Sequence, residues 1–282
     1  MHSNRRKIHW TFMVGEILVF ILALVSVYLS ENNFWQGFTY IAIVSVVLFT
    51  LLKIFESVPT FKELFVRESF AAEIADAAGQ YGVDKYFNMQ SSKGQSDRNE
   101  MTQEAIKSAN SLWLCANSGA SYLEPSLYRH WPFIEKKLDQ GIEFRVVLLD
   151  PFSDEKKFRN KLNSGGEHID SKMNLANIIN AYNKYNNLEI RFVKQGMHCT
   201  VFATETCLFV DPYQVATHGG RIDNRSFAMR ITQSEPPEGR GLYRIFKSHF
   251  DTLWRSSDEL SEWVKASADK LPEGLPEVKE RL

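Results

Sequence analysis

The chain has 282 residues, with 33 Lys+Arg against 34 Asp+Glu and a formal net charge of -1. Hydrophobic residues make up 44%, which excludes a disordered chain, and the near-neutral balance excludes a histone-like or tail-type binder of nucleic acid. Three cysteines, Cys115, Cys199 and Cys207, are too few for a disulfide-stapled scaffold and lack the spacing of a metal site.

Residues 1–55 are strongly apolar and predict two membrane spans, 10–29 (WTFMVGEILVFILALVSVYL) and 34–55 (FWQGFTYIAIVSVVLFTLLKIF). Each has roughly the 20 residues that carry a helix across a bilayer core. Only Ser30–Asn33 separate them, so they form a tight helical hairpin. Trp10, Tyr28, Phe34, Trp35 and Tyr40 stand near the span ends, where amphipathic rings favour the headgroup level. A cleaved signal peptide is the alternative for the first span. No small-x-small cleavage site stands near Leu29-Ser30, and a second apolar run follows at once.

Arg5, Arg6 and Lys7 precede the hairpin, Lys53, Lys62 and Arg67 end or follow it, and the connecting loop has no Lys or Arg. The positive-inside rule therefore puts both termini in the cytoplasm. Free cysteines suit that reducing side. Glu16 lies within the first span, where an ionisable side chain is costly and marks a functional candidate. It either lines a pore in an oligomer or reaches water at the cytosolic end. Gly15, Ser26, Gly37 and Ser45 are small residues that permit close helix contacts, without a clean GxxxG pattern.

Residues 56–88 carry a helical period and predict an amphipathic stalk. The polar run 90–99 (QSSKGQSDRN) predicts a loop, so 56–99 is read as stalk and linker. Helix and strand then alternate over 100–265. The expected elements are a helix at 102–108, a strand at 112–116 (LWLCA), a helix at 126–139 stopped by Gly141, and a strand at 143–149 ending in Asp150-Pro151. Helices at 154–162 and 172–185 and a strand at 188–193 follow. A hairpin of 199–203 with 207–210, a strand at 226–232 and a long helix at 242–255 complete the series. Residues 266–282 form a Pro- and charge-rich extended tail. The fold class is α/β, a mixed sheet flanked by helices, with parallel strands and an antiparallel portion late in the chain.

The order of LWLCA, GIEFRVVLLDP, HCTVFATETCLFVDP, RSFAMRIT and YRIFKSHFDTLW over residues 111–256 resembles one half of the phospholipase D-like fold. That family's motif is H-x-K-x4-D followed by G-S-x-N, its His attacking phosphorus and its Lys neutralising phosphate charge. In this sequence the aligned run is His198-Cys199-Thr200, four residues, then Glu205. The resemblance implies His198 and Glu205 as catalytic residues if the chain is an enzyme. Thr200 stands where the family has Lys, and Glu205 where it has Asp. Residues 219–224 (GGRIDN) match G-S-x-N only faintly. Phosphoryl transfer rests on positioning and charge stabilisation, and one lost electrostatic donor costs roughly 10²–10³ in rate. These residues point to a retired active site more than to a working one. The family builds each site from two motifs, so catalysis would also require a dimer.

His168, His198, His218 and His249 are scattered, with no zinc-type spacing, and no metal or cofactor is expected. Arg221, Arg225 and Arg230 head a basic cluster with Arg240, Arg244 and Lys247. It either binds phosphates of a ligand, nucleotide or nucleic-acid partner, or forms a solvated face opposite Glu273, Glu277 and Glu280.

A two-helix hairpin joined to a degenerate phospholipase D-like domain resembles effectors of bacterial antiphage defence, of retron or cyclic-nucleotide-signalling type. The resemblance implies a two-pass protein of the bacterial inner membrane whose cytosolic domain senses, or is held by, a partner. That partner is a regulatory protein or a ribonucleoprotein, a reverse transcriptase with its RNA–DNA product in the retron case. Homo-oligomeric hairpins, with Glu16, Ser26 and Ser45 facing a pore, would then permeabilise the bilayer and abort infection. Two other readings remain open: a membrane-anchored phosphodiesterase or nuclease acting through His198, and a non-toxic membrane-tethered scaffold.

Overall fold

The computed structural model describes residues 44–45, 72–164, 172–215, 222–223, 226–233 and 241–281. Contacts divide the chain into Met1–Ala77 and Ala78–Leu282. In the first unit, Val44, Ser45 and residues 72–77 are described, and they are helical. The remainder of the predicted hairpin, with Glu16 and Ser26, lies outside the described residues, as do Arg221 and Arg225. Among the described residues no helix is long and apolar enough to cross a membrane.

The second unit is an α/β domain with a mixed eight-stranded sheet. Its strands are β1 (Val83–Asn88), β2 (Leu112–Ala116), β3 (Phe144–Leu149), β4 (Leu188–Val193), β5 (Cys199–Thr204), β6 (Cys207–Pro212), β9 (Phe227–Thr232) and β10 (Asp258–Glu259), in the order β1-β9-β6-β5-β2-β3-β4-β10. β7 (Gln214–Val215) and β8 (Ile222–Asp223) pair separately. β2, β3 and β4 run parallel, and every other pairing in the large sheet is antiparallel.

Alternation along the strands builds two cores. Leu112, Leu114 and Ala116 of β2 face one, while Trp113 and Cys115 face the other. A strand covered on both faces reads as an unbroken apolar run, which is why LWLCA is buried throughout. The first face packs against helices α1 (Ser92–Ser108), α2 (Ala120–Leu123), α3 (Trp131–Asp139), α5 (Lys172–Lys184) and α7 (Leu260–Ala266). The second packs against α6 (Leu242–Ser256) through Phe250 and Leu253. Tyr243 of α6 donates to the Thr204 carbonyl at 2.6 Å, fixing that helix to the β5–β6 turn. Trp263 lies between Phe152 and Phe192, with ring centroids 5.6 and 4.2 Å away.

The structure corrects three expectations. The predicted stalk ends early: residues 72–80 are helical, but 83–88 form the edge strand β1. The polar run at 90–99 is not a loop but the start of α1. Ser91 caps it by accepting from the Gly94 N–H at 3.0 Å. Only Arg98, Thr102 and Ile106, spaced one turn apart, are buried, so the helix needs no apolar stripe at its start. The helix predicted over 126–139 is broken. A 3-10 turn spans Pro125–Leu127, Tyr128 takes a left-handed φ of 48°, and α3 begins at Trp131. Pro132 lacks an N–H to donate and so belongs in a first turn. α4 (Asp154–Ser164) follows β3.

Candidate functional site

A cleft of about 280 Å³ opens where β2 changes from a parallel neighbour, β3, to an antiparallel one, β5. It lies beyond the carboxyl ends of β2 and β6, the place where open α/β sheets hold ligands. Ala116, Ser118 and Gly119 follow from β2, Thr200 comes from β5, and Asp211 and Tyr213 come from the end of β6. Arg98 and Asn99 enter from α1, and Arg129 from the segment before α3. Gly119 has φ 64°, and an added Cβ would stand 3.0 Å from Leu148 Cδ2. A side chain there is disfavoured by both backbone and packing.

Arg98 organises the floor. Its guanidinium pairs with the Asp211 carboxylate, donates to Tyr122 Oη at 2.7 Å, and stands 3.2 Å from His130 Nε2. Burial opposes its charge, but Asp211 and Tyr122 outweigh that and raise its pKa above the ordinary value. Burial and the adjacent arginines depress His130 to about 2. The imidazole is therefore neutral and accepts from Arg98, leaving Nδ1 to carry the proton. Among the described residues neither Nδ1 nor Arg98 Nε has a hydrogen-bond partner. Tyr122 is stacked between His130 and Phe202, with centroids 4.8 and 4.7 Å away.

The wall is made of hydroxyls. Thr200 Oγ1 and Tyr213 Oη are hydrogen-bonded to each other. Burial pushes both Tyr213 and Tyr122 up to about 12, so at neutral pH both phenols keep their protons and are not bases. Arg129 donates to Ser121 Oγ at 3.2 Å. Two guanidiniums and one carboxylate line the cleft, together with uncharged hydrogen-bonding groups. That chemistry suits a small polar or anionic group held by hydrogen bonds. Among the described residues no group of three His, Cys, Asp or Glu side chains converges to hold a metal ion.

The residues singled out in the sequence do not converge here. His198 precedes β5 with an exposed side chain, is not among the lining residues, and its carbonyl accepts from the Tyr213 N–H at 2.7 Å. Glu205 lies at the other end of this six-residue strand, roughly 20 Å away at about 3.3 Å per residue. Its carboxylate accepts from the backbone N–H groups of Asn110 and Ser111 at 3.0–3.2 Å, tying the turn to the start of β2. Arg230 on β9 is committed to Asp84 at the sheet edge, with Nε 2.9 Å from Oδ2. Ser45 is helical and belongs to the first unit. Arg98, Tyr122, His130, Asp211 and Tyr213 were missed. The D-P pair of Asp211-Pro212 at the end of an apolar strand was the one local signal, since D-P also closes β3.

No family model matches the chain, and no curated protein matches it. Among solved structures, it is similar to TrmBL2, an archaeal chromatin protein with a novel mode of DNA binding. That likeness has a TM-score of 0.35 and 14% identity over 77% of this chain and 70% of the other. It is also similar to the phosphatidylserine synthase of Haemophilus influenzae Rd KW20, with a TM-score of 0.40 and 12% identity over 64% of this chain and 40% of the synthase. At these scores neither likeness decides what the chain does.

Proposed function

We propose that this protein is a two-pass membrane effector of bacterial antiphage defence, whose α/β domain binds a ligand or partner in a cleft that no longer performs chemistry. On this reading the hairpin at 10–29 and 34–55 permeabilises the inner membrane when its restraint is lifted. The restraint is a regulatory protein or ribonucleoprotein engaging the cytosolic domain. The observation that carries the reading is the state of the cleft at the degenerate motif. Thr200 offers a hydroxyl already bonded to Tyr213, the Arg98 charge is spent on Asp211, Arg129 donates to Ser121, and His198 is not among the lining residues. Phosphoryl transfer requires an aimed charge and a positioned nucleophile. Binding requires only the hydrogen-bonding wall that is present.

The test is induced expression in a bacterium of the full chain and of residues 56–282, with a potential-sensitive dye and propidium uptake recorded. Depolarisation by the full chain alone is the expected result. His198→Ala should depolarise as well as the parent, and Glu16→Gln should depolarise less. Loss of activity in His198→Ala at normal protein level would favour the phosphodiesterase reading. Full-chain expression that leaves the membrane intact, even with its genomic neighbours co-expressed, would favour the scaffold.

A further inference from the structure

The second sheet face, turned away from the cleft, carries three sulfur-bearing side chains. Cys115 on β2 and Met197 just before β5 bring Sγ and Sδ to 3.0 Å, and both residues are buried. Cys115 is paired in register with Val201. Cys199 stands two residues before Val201, on the same face and against the same core. It is therefore the diagonal neighbour of Cys115, and it is near enough to contribute to the rise in that thiol's pKa.

This spacing separates two chemistries. Diagonal Cα atoms across an antiparallel pair are roughly 7–8 Å apart, beyond the roughly 4.4–6.8 Å that a disulfide spans. An ion between the sulfurs, with metal–sulfur bonds of about 2.3 Å, bridges the wider gap. The third sulfur is a thioether. Zinc takes four ligands from Cys, His, Asp and Glu, which two thiolates and one thioether do not supply, whereas Cys and Met sulfurs suit Cu(I).

We propose that Cys115, Cys199 and Met197 form a binding site for a soft monovalent cation, Cu(I), on the α/β domain. The site is independent of the cleft and of the membrane reading. Loading breaks the Cys115 S–H···Sδ hydrogen bond to Met197 and moves those two sulfurs apart to about 4 Å, the separation that three bonds of about 2.3 Å require; it forms two thiolate–copper bonds and one thioether–copper bond, releases two protons to solvent, and leaves the metal's oxidation state unchanged. Both thiols are protonated when the site is empty, because burial pushes Cys115 up to about 12 and Cys199 to about 11. The loaded site carries one negative charge. The Arg159 guanidinium donates to the Met197 carbonyl at 2.6 Å and is itself ion-paired with Glu155. Cys199, half-buried at the start of its strand, provides the way in.

The test is competition for Cu(I) held by bicinchoninate, using the full chain purified in detergent. The parent should withdraw one equivalent. Cys199→Ser should weaken uptake beyond the roughly 10–100-fold that changes behind metal ligands cost. Met197→Leu, which conserves volume, should weaken it about tenfold. Cys207→Ser removes the cysteine on the opposite sheet face and should bind as the parent does. X-ray absorption should show a shell of three sulfurs. Circular dichroism of each variant confirms that it is folded. A parent that takes no copper, or Cys199→Ser and Met197→Leu proteins that match it, would overturn the site. Equal weakening in Cys207→Ser would overturn it too, because uptake would then be a property of any thiol.

Discussion

Burying a guanidinium costs several kcal/mol unless its hydrogen-bonding capacity is met, and Arg98 meets most of it through Asp211, Tyr122 and His130. Arg98→Met strands the Asp211 carboxylate. It should destabilise the domain by about 3–5 kcal/mol, while Arg98→Met with Asp211→Leu should recover most of the loss. Urea denaturation of the purified chain measures both, and a single-variant loss under about 1 kcal/mol would sink the account. His130 adds a pH dependence. Its pKa is near 6.5 in the unfolded chain and about 2 in the folded one. Between those values the unfolded chain binds the extra proton, so stability falls as pH falls. From pH 6.5 to 5 the loss is about 2 kcal/mol, at about 1.36 kcal/mol per unit. His130→Gln should flatten that slope relative to the parent, as read from melts across the range. Neither residue was legible in the sequence. A lone Arg within a polar run and a lone His before a helix carry no local sign of being buried, because their partners lie far away. Asp211 is 113 residues from Arg98.

At the scale of elements, legibility followed apolar content. β2, β3 and β4 were readable to within a residue because they are buried runs with turn signals beyond them. α1 was half missed because its inward stripe begins with Arg98 and Thr102. Its first turn depends on Gly94, where an added Cβ would stand 2.0 Å from the Asn88 carbonyl oxygen. Gly94→Ala normally gains about 1 kcal/mol of helix propensity. Here backbone must shift, and a net loss of about 2 kcal/mol is expected, of the size seen for overpacking. The same shift should displace Arg98, one turn further on. Amide hydrogen exchange should show faster exchange across α1 and the cleft floor, and unchanged protection of β3 and β4.

At the scale of the whole domain, the C-terminal segment is a working part of the fold. Leu271, Leu275 and Val278 pack against the first core. Arg281 donates to the carbonyls of Tyr182, Tyr185, Asn186 and Leu188, and its guanidinium lies 3.5 Å from the centre of the Tyr182 ring. The Tyr182 carbonyl lies in the last turn of α5, where carbonyls need donors from outside the helix. Asn183 adds two bonds to the segment's backbone, at 2.7 and 2.9 Å. Arg281→Ala should cost about 2 kcal/mol, the scale of hydrogen bonds to a charged group. The readout is a lower melting temperature, and an unchanged one would mean that the segment is merely draped on the surface.

The α/β class and the parallel β2–β3–β4 core were legible in the chain, because strand burial and helix periodicity are written in local patterns of apolar residues. The expectation of a membrane hairpin rests on the same kind of local signal, an unbroken apolar run of bilayer length. The folded structure alone set which residues make the cleft and that Arg230 is held by Asp84. It also brought Cys115, Met197 and Cys199 onto one face. Those facts depend on strand order and register, which bring together groups with no pattern linking them along the chain. A charged or sulfur-bearing side chain acquires its chemistry from neighbours that folding supplies.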